Sequence, residues 1–433
     1  MGESFMPTFT TDEDLKAAQL EGLKWTVNHV WNGSDFYRER LQAAGVKPED
    51  IQTLDDIRRL PFIDAYDLRE QYPFPLLSVP VEDLVRVHAS SGTTGKRKVM
   101  CYTRKDLDDY RKMFARVWEL AGCTRADRIQ NPNGYGLWTA GSGFQAGIEE
   151  FGALCIPTGP GQVDLQLELL VDFKTTVYCS TASMALLLGE KVAEVGIVGQ
   201  LSLKKLVMGS ELHSRAMDER IAGLLKLDPN EIYDIPGMTE MYGPGTGLDC
   251  HYHTGIHYSA DYFIIEFLNP KTLEPVPEGE PGEMVVTSLK KEGSPLVRYR
   301  THDLCRAIPG RCPCGRVLPR HDKIMGRTDD MIIFKATNIY PGQIQAVLGK
   351  FEHVGSEYNI ILDRREGKDS MTILVEREPE ADPAADETVA KAIVRQTKAD
   401  VMVTPSVQIV DYGTLARSER KSKRVFDNRQ DWQ

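Results

Sequence analysis

The feature that most restricts the fold of this chain is an alternation of β-rich runs with helical patterns between residues 84 and 227. The run LVRVHA leads, after a Ser/Gly segment, to a helical pattern that Gly122 closes, and TTVYCST and LKKLVMGSE are each followed by a further helical pattern. Helices that alternate with strands cover the faces of a mostly parallel sheet. The alternation therefore predicts an α/β fold of layered, largely parallel sheets.

The two ends of the chain have sequence patterns that differ from this alternation. Residues 11–60 repeat apolar positions at helical spacing, whereas the segment beyond residue 245 is β-rich with Gly/Pro turns. At the motif MGRTDD the pattern changes again, to a small α+β unit. Because 433 residues exceed the size at which a single core stops growing, we predict two domains, a large one at 1–326 with a β-rich subdomain and a small mobile one at 327–433.

Composition excludes several functional classes. The net charge of −11, from 63 acidic and 52 basic residues, argues against a nucleic-acid partner. No apolar run approaches the roughly 18 residues that span a membrane, and the first residues lack the basic region and apolar core of a signal peptide. We therefore expect a cytoplasmic protein with no membrane partner, whose eight cysteines are reduced thiols or metal ligands.

The segment HASSGTTGKRKV, at residues 88–99, has the composition of a phosphate-binding loop. It is not a Walker A loop, because only two residues separate Gly92 from Gly95 and because Lys96 is followed by Arg97 rather than Ser or Thr. On its own the segment is as typical of a Gly-rich surface turn as of a phosphate site. Its function therefore depends on the motifs that follow it.

Further motifs follow this loop in order: YDIPGMTEMYGPG, RYRTHDL, GRTDD and a Lys/Arg-rich tail. Together they resemble the adenylate-forming acyl-CoA synthetase superfamily. The narrower resemblance, to the phenylacetate-CoA ligase family, rests on HASSGTTGK, YGLWTAGSGF, TNIYPGQI and RSERKSKRVFDNR. It covers nearly the whole chain, and it implies that ATP and a carboxylic acid form an acyl adenylate with release of pyrophosphate. Coenzyme A then takes the acyl group, and AMP leaves.

The resemblance also implies roles for individual residues in binding ATP. Thr239 would contact the α-phosphate, Glu240 would hold Mg²⁺, and Asp303 would accept both ribose hydroxyls. Stacking on adenine would come from Tyr233 or from a residue elsewhere in the chain, because Pro236 stands where the family commonly has an aromatic residue. The phosphate loop, the adenine-flanking turn and the other nucleotide contacts comprise Ser90, Ser91, Gly92, Thr93, Thr94, Gly95, Lys96, Gly209, Ser210, Glu211, Asp234 and Arg327.

The small domain would contribute a hinge and a catalytic lysine. Asp329 resembles the hinge on which this domain swings between the two half-reactions. Lys421 keeps the family spacing to Arg424 and is the predicted catalytic residue, which bridges the carboxylate and the α-phosphate in the first step. Lys423 lies close enough to compete for this role, and a solvated basic tail is the alternative interpretation of the whole run.

An aromatic segment, NGYGLWTAGSGFQAG, is the candidate wall of the acyl pocket. Tyr135, Trp138 and Phe144 would supply flat apolar surface, and Ala140 and Gly141 would leave room for a ring. Gln145 stands with an alanine where phenylacetate ligases tend to have His-Tyr, which predicts an acid larger or more polar than phenylacetate. Ordinary core packing is the alternative for each aromatic residue. This segment is therefore also the predicted determinant of which carboxylic acid the protein accepts.

Two Cys/His groups, CHYHTGIH and RCPCGR, can close a metal site. Cys250, His257, Cys312 and Cys314 form a Cys₃His set, the ligand type of tetrahedral structural zinc. A branch of the phenylacetate ligase family looks similar here and holds such a zinc. The alternative is a group of buried reduced thiols beside exposed histidines.

The sequence as a whole predicts an AMP-forming ligase that joins an aromatic carboxylic acid to coenzyme A. Its cofactors and co-substrates are ATP, Mg²⁺ and coenzyme A, with a structural Zn²⁺, and the family suggests a homodimer. One alternative is an adenylyltransferase of the same fold with another acceptor. A non-catalytic nucleotide sensor is a third possibility, against which the Glu240, Asp303 and Lys421 pattern argues.

Overall fold

Helices and strands alternate between residues 99 and 235 of this computed structural model, which describes residues 4–90, 96–211, 213, 215–328, 332–334, 337–365, 368–415 and 424–429. The helices are α1 (Asp12–Gly33), α2 (Asp35–Ala43), α3 (Ala65–Glu70), α4 (Arg104–Leu120), α5 (Thr139–Phe151), α6 (Val163–Asp172), α7 (Ala182–Val195), α8 (Arg215–Leu225), α9 (Pro341–Leu348) and α10 (Asp386–Val401). None of the helices in these ranges is both long and apolar enough to cross a membrane.

Most strands are short, and the two longest lie in the last quarter of the chain. In chain order they are β1 (Arg86–Ala89), β2 (Val99–Tyr102), β3 (Arg128–Gln130), β4 (Leu154–Ile156), β5 (Val177–Thr181), β6 (Lys205–Gly209), β7 (Ile232–Ile235), β8 (Gly247–Asp249), β9 (Ile256–Tyr258), β10 (Phe263–Leu268), β11 (Gly282–Ser288), β12 (Tyr299–Cys305), β13 (Ala307–Ile308), β14 (Arg320–His321), β15 (Gly326–Arg327), β16 (Ile332–Phe334), β17 (Thr337–Ile339), β18 (Val354–Arg365), β19 (Lys368–Arg377), β20 (Ser406–Val410) and β21 (Val425–Asp427).

The central sheet has the strand order β4–β3–β5–β6–β7, and each pair in it is parallel. Alternate residues of its strands face two cores. Val207 and Tyr233 join the core formed with α4 and α5, whereas Leu206 and Ile232 join the core formed with α6, α7 and α8. This two-sided burial follows from the period of two in a strand. The predicted α/β architecture with parallel strands is therefore confirmed.

Antiparallel sheets build the β-rich part of the large unit. One has the order β10–β11–β12–β15, another has the order β13–β14–β9–β8, and β1 pairs with β2 in a hairpin. Helix α1 packs on the first of these, where Thr26 donates a hydrogen bond of 2.8 Å to the carbonyl oxygen of Ser288. Tyr299, the first residue of β12, donates a hydrogen bond to Glu240, so this strand begins beside the loop that follows β7.

The last part of the chain forms an α+β unit with its own core. Its sheet has the order β20–β19–β18–β21, and α9 and α10 pack against it around Ile360, Ile373 and Ile393. Arg327 still belongs to the first unit, because β15 pairs with β12, and the second core begins at Ile332. The domain boundary after residue 326 stays a prediction.

Candidate active site

A tight loop after β7 carries the residues expected to meet metal and phosphate. Thr239 and Glu240 lie in the single turn Thr239–Met241, and both are buried. The amide of Gly243 donates a hydrogen bond of 2.8 Å to the carbonyl oxygen of Met238, so the loop closes on itself. Closure of the loop fixes the direction of both side chains.

The Glu240 carboxylate is only 3% exposed and is held by two side chains. The Tyr299 hydroxyl donates a hydrogen bond of 2.9 Å to Glu240 Oε1, and the Lys98 ammonium forms an ion pair with the same oxygen. Burial alone would raise the pKa of Glu240, but Lys98 and the hydrogen bonds lower it below its ordinary value. The loop therefore presents an ionised carboxylate, the hard oxygen ligand that Mg²⁺ prefers.

Lys98 is a site residue that the sequence reasoning missed. Lys96 was assigned to the phosphates, but it is exposed, and its ammonium lies 5.8 Å from the centre of the Tyr72 ring. The side chain that reaches the buried carboxylate is instead the last cation of the same basic run. The basic run at residues 96–98 indicates that a cation reaches the site, but the sequence alone does not show which of the three side chains points inward.

Most of the predicted phosphate loop lies outside the described residues, namely Ser91, Gly92, Thr93, Thr94 and Gly95. At its start, the Ser90 amide donates a hydrogen bond of 2.9 Å to the carbonyl oxygen of Lys98. The Ser90 hydroxyl is buried and has no hydrogen-bond partner among the described residues. The base of the loop is thus fixed beside Lys98, close to the Glu240 site.

The turn at the end of β6 is shaped by close backbone contact. A Cβ on Gly209 would lie 2.2 Å from the carbonyl oxygen of Ile235, so only glycine fits, and Ser210 has a φ of +67°. Glu211 does not point into open space. Its carboxylate accepts hydrogen bonds of 2.8 Å and 2.5 Å from the amide and hydroxyl of Ser183, in the first turn of α7. Glu211 thus anchors this turn to a helix N-terminus, where a negative charge is favourable.

The prediction that Tyr233 stacks on adenine is wrong in this geometry. The Tyr233 side chain is 1% exposed and faces the core on the α4–α5 side of the sheet. Its hydroxyl donates a hydrogen bond of 3.1 Å to Glu231 and accepts one of 3.3 Å from Lys205. Strand alternation is the reason, because β7 directs Tyr233 to the α4–α5 side of the sheet and Asp234 to the opposite face.

Asp234 belongs to a buried charged group at the edge of the sheet. The Lys323 ammonium lies 3.2 Å from its carboxylate, and His213 Nε2 lies 3.6 Å away. Burial alone would lower the pKa of His213, but Asp218 and Asp234 raise it to about 9. In turn, His213 and Lys323 hold the pKa of Asp234 below its ordinary value despite its burial.

The predicted ribose contact lies on adjacent strands. Asp303 and Arg327 are paired residues of β12 and β15, and Arg327 Nη1 lies 2.8 Å from Asp303 Oδ1. The amide of Thr328 donates a hydrogen bond of 2.7 Å to the carbonyl oxygen of His302. These contacts tie the start of the predicted hinge to the sheet, while Asp329, Lys421 and Lys423 lie outside the described residues.

The predicted acyl segment divides into a packed part and an exposed part. A Cβ on Gly141 would lie 2.5 Å from the carbonyl oxygen of Gly134, so the space left for a substrate ring there is filled by backbone. Ala140 is 1% exposed, and Phe144 packs in the core, 5.7 Å from the Phe114 ring and 5.8 Å from Trp118. These three residues therefore pack the helix α5 in the core.

The exposed part carries a row of hydrogen bonds. Tyr135 is 40% exposed, and its hydroxyl donates a hydrogen bond of 2.9 Å to Gln145 Oε1. Gln145 Nε2 donates in turn to Glu149, at 2.8 Å. Trp138, which is half-buried, precedes α5 beside this row. A substrate that lies here meets polar groups as well as aromatic surface.

The predicted metal ligands come together around one point. The ligand atoms of Cys250, His257, Cys312 and Cys314 all lie within 4.8 Å of one another. Cys250 Sγ lies 3.6 Å from Cys312 Sγ, and Cys314 Sγ lies 3.4 Å from His257 Nε2. A tetrahedral zinc with bonds of about 2.3 Å to sulfur and 2.0 Å to nitrogen separates its ligand atoms by about 3.5–3.8 Å. The donor set and its spacing therefore fit zinc.

His257 is also in the correct protonation state for a metal ligand. Nδ1 lies 3.0 Å from the carbonyl oxygen of Leu318, which can only accept, so Nδ1 carries the proton and Nε2 faces the cysteines. Burial lowers the pKa of His257 to about 4. His253 does not belong to this cluster of metal ligands, because its ring nitrogens contact Asp249 and the carbonyl oxygen of Asn230.

Comparison with known proteins identifies relatives of both units. The family model of AMP-binding enzymes matches residues 10–289, and that of the AMP-binding enzyme C-terminal domain matches residues 336–429. The phenylacetate-coenzyme A ligase of Escherichia coli (strain K12) is 38% identical over 423 residues, which cover 96% of this chain and 95% of that protein. The similarity therefore extends through both units.

Solved structures agree with this similarity and distinguish two arrangements. The crystal structure of 2-hydroxyisobutyryl-CoA ligase in its postadenylation state matches with a TM-score of 0.88 at 26% identity, over 98% of this chain and 91% of that chain. The same enzyme in the thioesterification state matches with a TM-score of 0.70 at 27% identity, over 99% and 91% of the two chains. The two units are thus arranged more as in the postadenylation state.

Proposed function

Because the chain belongs to the AMP-binding enzyme family and catalyses ATP-dependent ligation of an acid to coenzyme A, we propose that the acid is an aromatic carboxylate related to phenylacetate. A carboxylate oxygen attacks the α-phosphorus of ATP, and the bond to the bridging oxygen breaks so that pyrophosphate leaves. The thiol sulfur of coenzyme A then attacks the acyl carbon of the adenylate. AMP leaves, and the thiol proton passes to solvent.

Each step needs charge and position more than covalent participation by the protein. The observation that supports adenylation at this site is the buried, ionised Glu240, held by Tyr299 and paired with Lys98. The Lys98 ammonium already lies against this carboxylate. The position beside Glu240 therefore favours positive charge, as a binding site for a divalent cation must. Mg²⁺ bound at Glu240 would supply positive charge beside the phosphate oxygens.

The surrounding residues would then bind and orient the nucleotide and the acid. Thr239, next to Glu240, would donate its hydroxyl to the α-phosphate, and Asp303 would accept the two ribose hydroxyls. Lys421 would bridge the carboxylate and the α-phosphate, with Lys423 as the alternative. The basic run at Lys96 would meet the outer phosphates. Charge that develops on phosphate oxygen is thereby matched by cations held nearby.

The choice of an aromatic acid with polar character rests on the exposed row beside α5. Tyr135 and Trp138 supply aromatic surface, and the Tyr135–Gln145–Glu149 hydrogen bonds supply donors and acceptors along one edge. A ring with a polar substituent can use both. An acid larger or more polar than phenylacetate is therefore the proposed substrate.

Acid-dependent exchange of labelled pyrophosphate into ATP tests this proposal. The panel contains phenylacetate, hydroxylated phenylacetates, benzoate and, as a small aliphatic comparison, 2-hydroxyisobutyrate. We expect the fastest exchange with a hydroxylated aryl acid, and AMP and acyl-CoA in equal amounts once coenzyme A is added. Exchange with 2-hydroxyisobutyrate alone would exclude the aromatic class. Exchange without thioester formation would instead support an adenylyltransferase with another acceptor.

We further propose that Cys250, His257, Cys312 and Cys314 hold a structural Zn²⁺. Four protein ligands leave no open position, so the metal would stabilise the fold of the β8–β9 region rather than act on substrate. Elemental analysis of protein purified without chelator should give one zinc per chain. Cys312→Ser should lose the metal and lower the melting temperature, whereas Cys123→Ser, at a buried thiol outside the cluster, should keep it. Well below one zinc per chain would refute the site.

The expected compartment and oligomeric state complete the proposal. All eight cysteines are unpaired in the structure, as in a reducing compartment, which supports a cytoplasmic location. The family resemblance favours a homodimer, and light scattering of the purified protein measures its mass directly. A monomeric mass across micromolar concentrations would exclude the dimer.

A further inference from the structure

The loop that carries Glu240 contains a strained residue. Tyr242 has a φ of +71°, in the left-handed region, although its side chain is large and buried. This conformation is unfavourable for a bulky residue and persists only when its surroundings hold it. Because Tyr242 follows Glu240 by two positions, whatever holds Tyr242 also sets the direction of the carboxylate. The contacts of the Tyr242 side chain therefore identify residues that position the site.

The Tyr242 ring packs against the ammonium of Lys291. Its ammonium lies 3.6 Å from the centre of the Tyr102 ring and 4.2 Å from the centre of the Tyr242 ring. The Lys291 side chain is buried, and its ammonium has no hydrogen-bond partner among the described residues. The Lys291 ammonium thus lies between two tyrosine rings, and the negative faces of these rings attract it.

Asp106 supplies the balancing negative charge. Its carboxylate lies 3.8 Å from the Lys291 ammonium and accepts a hydrogen bond of 3.4 Å from the Tyr242 hydroxyl. It also accepts hydrogen bonds of 2.8 Å and 2.9 Å from the amides of Glu292 and Gly293. The carboxylate therefore fixes both the lysine segment and the tyrosine ring to the start of α4.

We propose that Lys291 is a positioning residue for adenylation: its ammonium, held between Tyr102 and Tyr242 beside Asp106, keeps the Met238–Gly243 loop in the conformation that aims Thr239 and Glu240 at MgATP. The inference rests on the proposed function, because it concerns the half-reaction in which the metal and phosphates are bound. Lys291 does not touch the reacting atoms. Its effect passes through the backbone of Tyr242.

The neighbouring lysine offers a matched control. Lys290 Nζ also lies over a tyrosine ring, 4.5 Å from the centre of Tyr262, but Tyr262 is outside the loop. Lys290→Met removes one lysine–tyrosine contact without changing the surroundings of Tyr242. Lys291→Met removes the cation between the two rings and keeps a side chain of similar length. The two variants therefore differ in whether the loop of Glu240 loses its support.

Separate assays of the two half-reactions distinguish a loss of positioning at the metal loop from a general loss of stability. In Lys291→Met we expect acid-dependent pyrophosphate exchange to fall at least tenfold, with a raised KM for MgATP. Thioester formation from a prepared acyl adenylate and coenzyme A should change less than twofold, because that step involves neither the metal proposed at Glu240 nor the outer phosphates. Lys290→Met should match the wild type in both assays. Exchange by the wild-type enzyme is measured first, so a failure of the proposed function is seen before any variant is compared.

Equal losses in the two half-reactions would overturn the proposal, since they would indicate a smaller folded fraction. Unchanged exchange would overturn it as well. Lys291→Arg keeps the charge and should recover part of the exchange that the methionine variant loses. If Lys291→Met does not fold, Tyr102→Leu carries the same test, because it removes one of the two rings and leaves the lysine in place. It should then slow exchange more than thioester formation.

Discussion

Replacing Lys98 with methionine tests the electrostatic account of the site most directly. The substitution keeps most of the side-chain volume but removes the cation that pairs with Glu240. The carboxylate then keeps the Tyr299 hydroxyl as its remaining described side-chain partner in the buried site. Breaking a buried ion pair by removing one partner costs about 3–5 kcal/mol. Since the Lys98 side chain is 19% exposed, we expect the lower end of this range.

The pH dependence gives the sign of the effect. In the wild type the pKa of Glu240 lies below its ordinary value, so the ionised carboxylate stabilises the fold at neutral pH, and this contribution is lost as the pH falls through the lowered pKa. Without Lys98, burial raises the pKa of Glu240 above the ordinary value. The ionised carboxylate then destabilises the fold at neutral pH, and the deficit shrinks as acid protonates it.

Urea unfolding of both proteins near pH 7 and near pH 5 measures this difference. Lys98→Met should be less stable by about 3 kcal/mol near pH 7, by an amount that decreases near pH 5. Lys96→Met, which alters an exposed lysine of the same run, should unfold like the wild type at both pH values. Addition of Mg²⁺ and ATP should increase the free energy of unfolding more in Lys98→Met than in the wild type. Equal stability of Lys98→Met and wild type near pH 7 would refute the reasoning.

Two further predictions concern the small unit. Lys421→Ala should abolish most pyrophosphate exchange while a prepared acyl adenylate is still converted to thioester, and the same result in Lys423→Ala instead would shift the catalytic assignment to that residue. Arg220, on α8, pairs with Glu190 at 2.8 Å and with Glu378 of the small unit, so Arg220→Gln should loosen the postadenylation-like arrangement. We expect several-fold slower exchange with unchanged or faster thioester formation, and equal slowing of both steps would contradict this.

The parallel sheet and the metal cluster were predictable for different reasons. Alternating β-rich and helical segments have few alternatives to a layered α/β fold, so residues such as Val207 and Leu206 could be assigned to opposite faces by period alone. The pairing of Cys250 with Cys312, which are far apart in sequence, followed from donor chemistry. Their proximity in the structure agrees with that choice of ligands.

The individual nucleotide contacts were less predictable, because they depend on which face of a short strand is inward. Strand β7 has two faces and both are flanked by protein, so the sequence cannot show that Tyr233 enters the core while Asp234 meets Lys323. Glu211 is a similar case. Its carboxylate binds the first turn of α7, and this contact depends on the tertiary arrangement of two segments. Sequence periodicity contains no information about such a pairing.

The carboxylates that are proposed to meet the metal and the ribose each have a cationic partner in this structure. Glu240 pairs with Lys98, and Asp303 pairs with Arg327. An unpaired buried carboxylate would cost several kcal/mol, and its pKa would rise until it bound a proton. At Glu240 the pairing with Lys98 keeps the pKa of the carboxyl below its ordinary value despite its burial. In the proposed binding mode, Mg²⁺ would replace Lys98 as the partner of Glu240, and the ribose hydroxyls would replace Arg327 as the partners of Asp303.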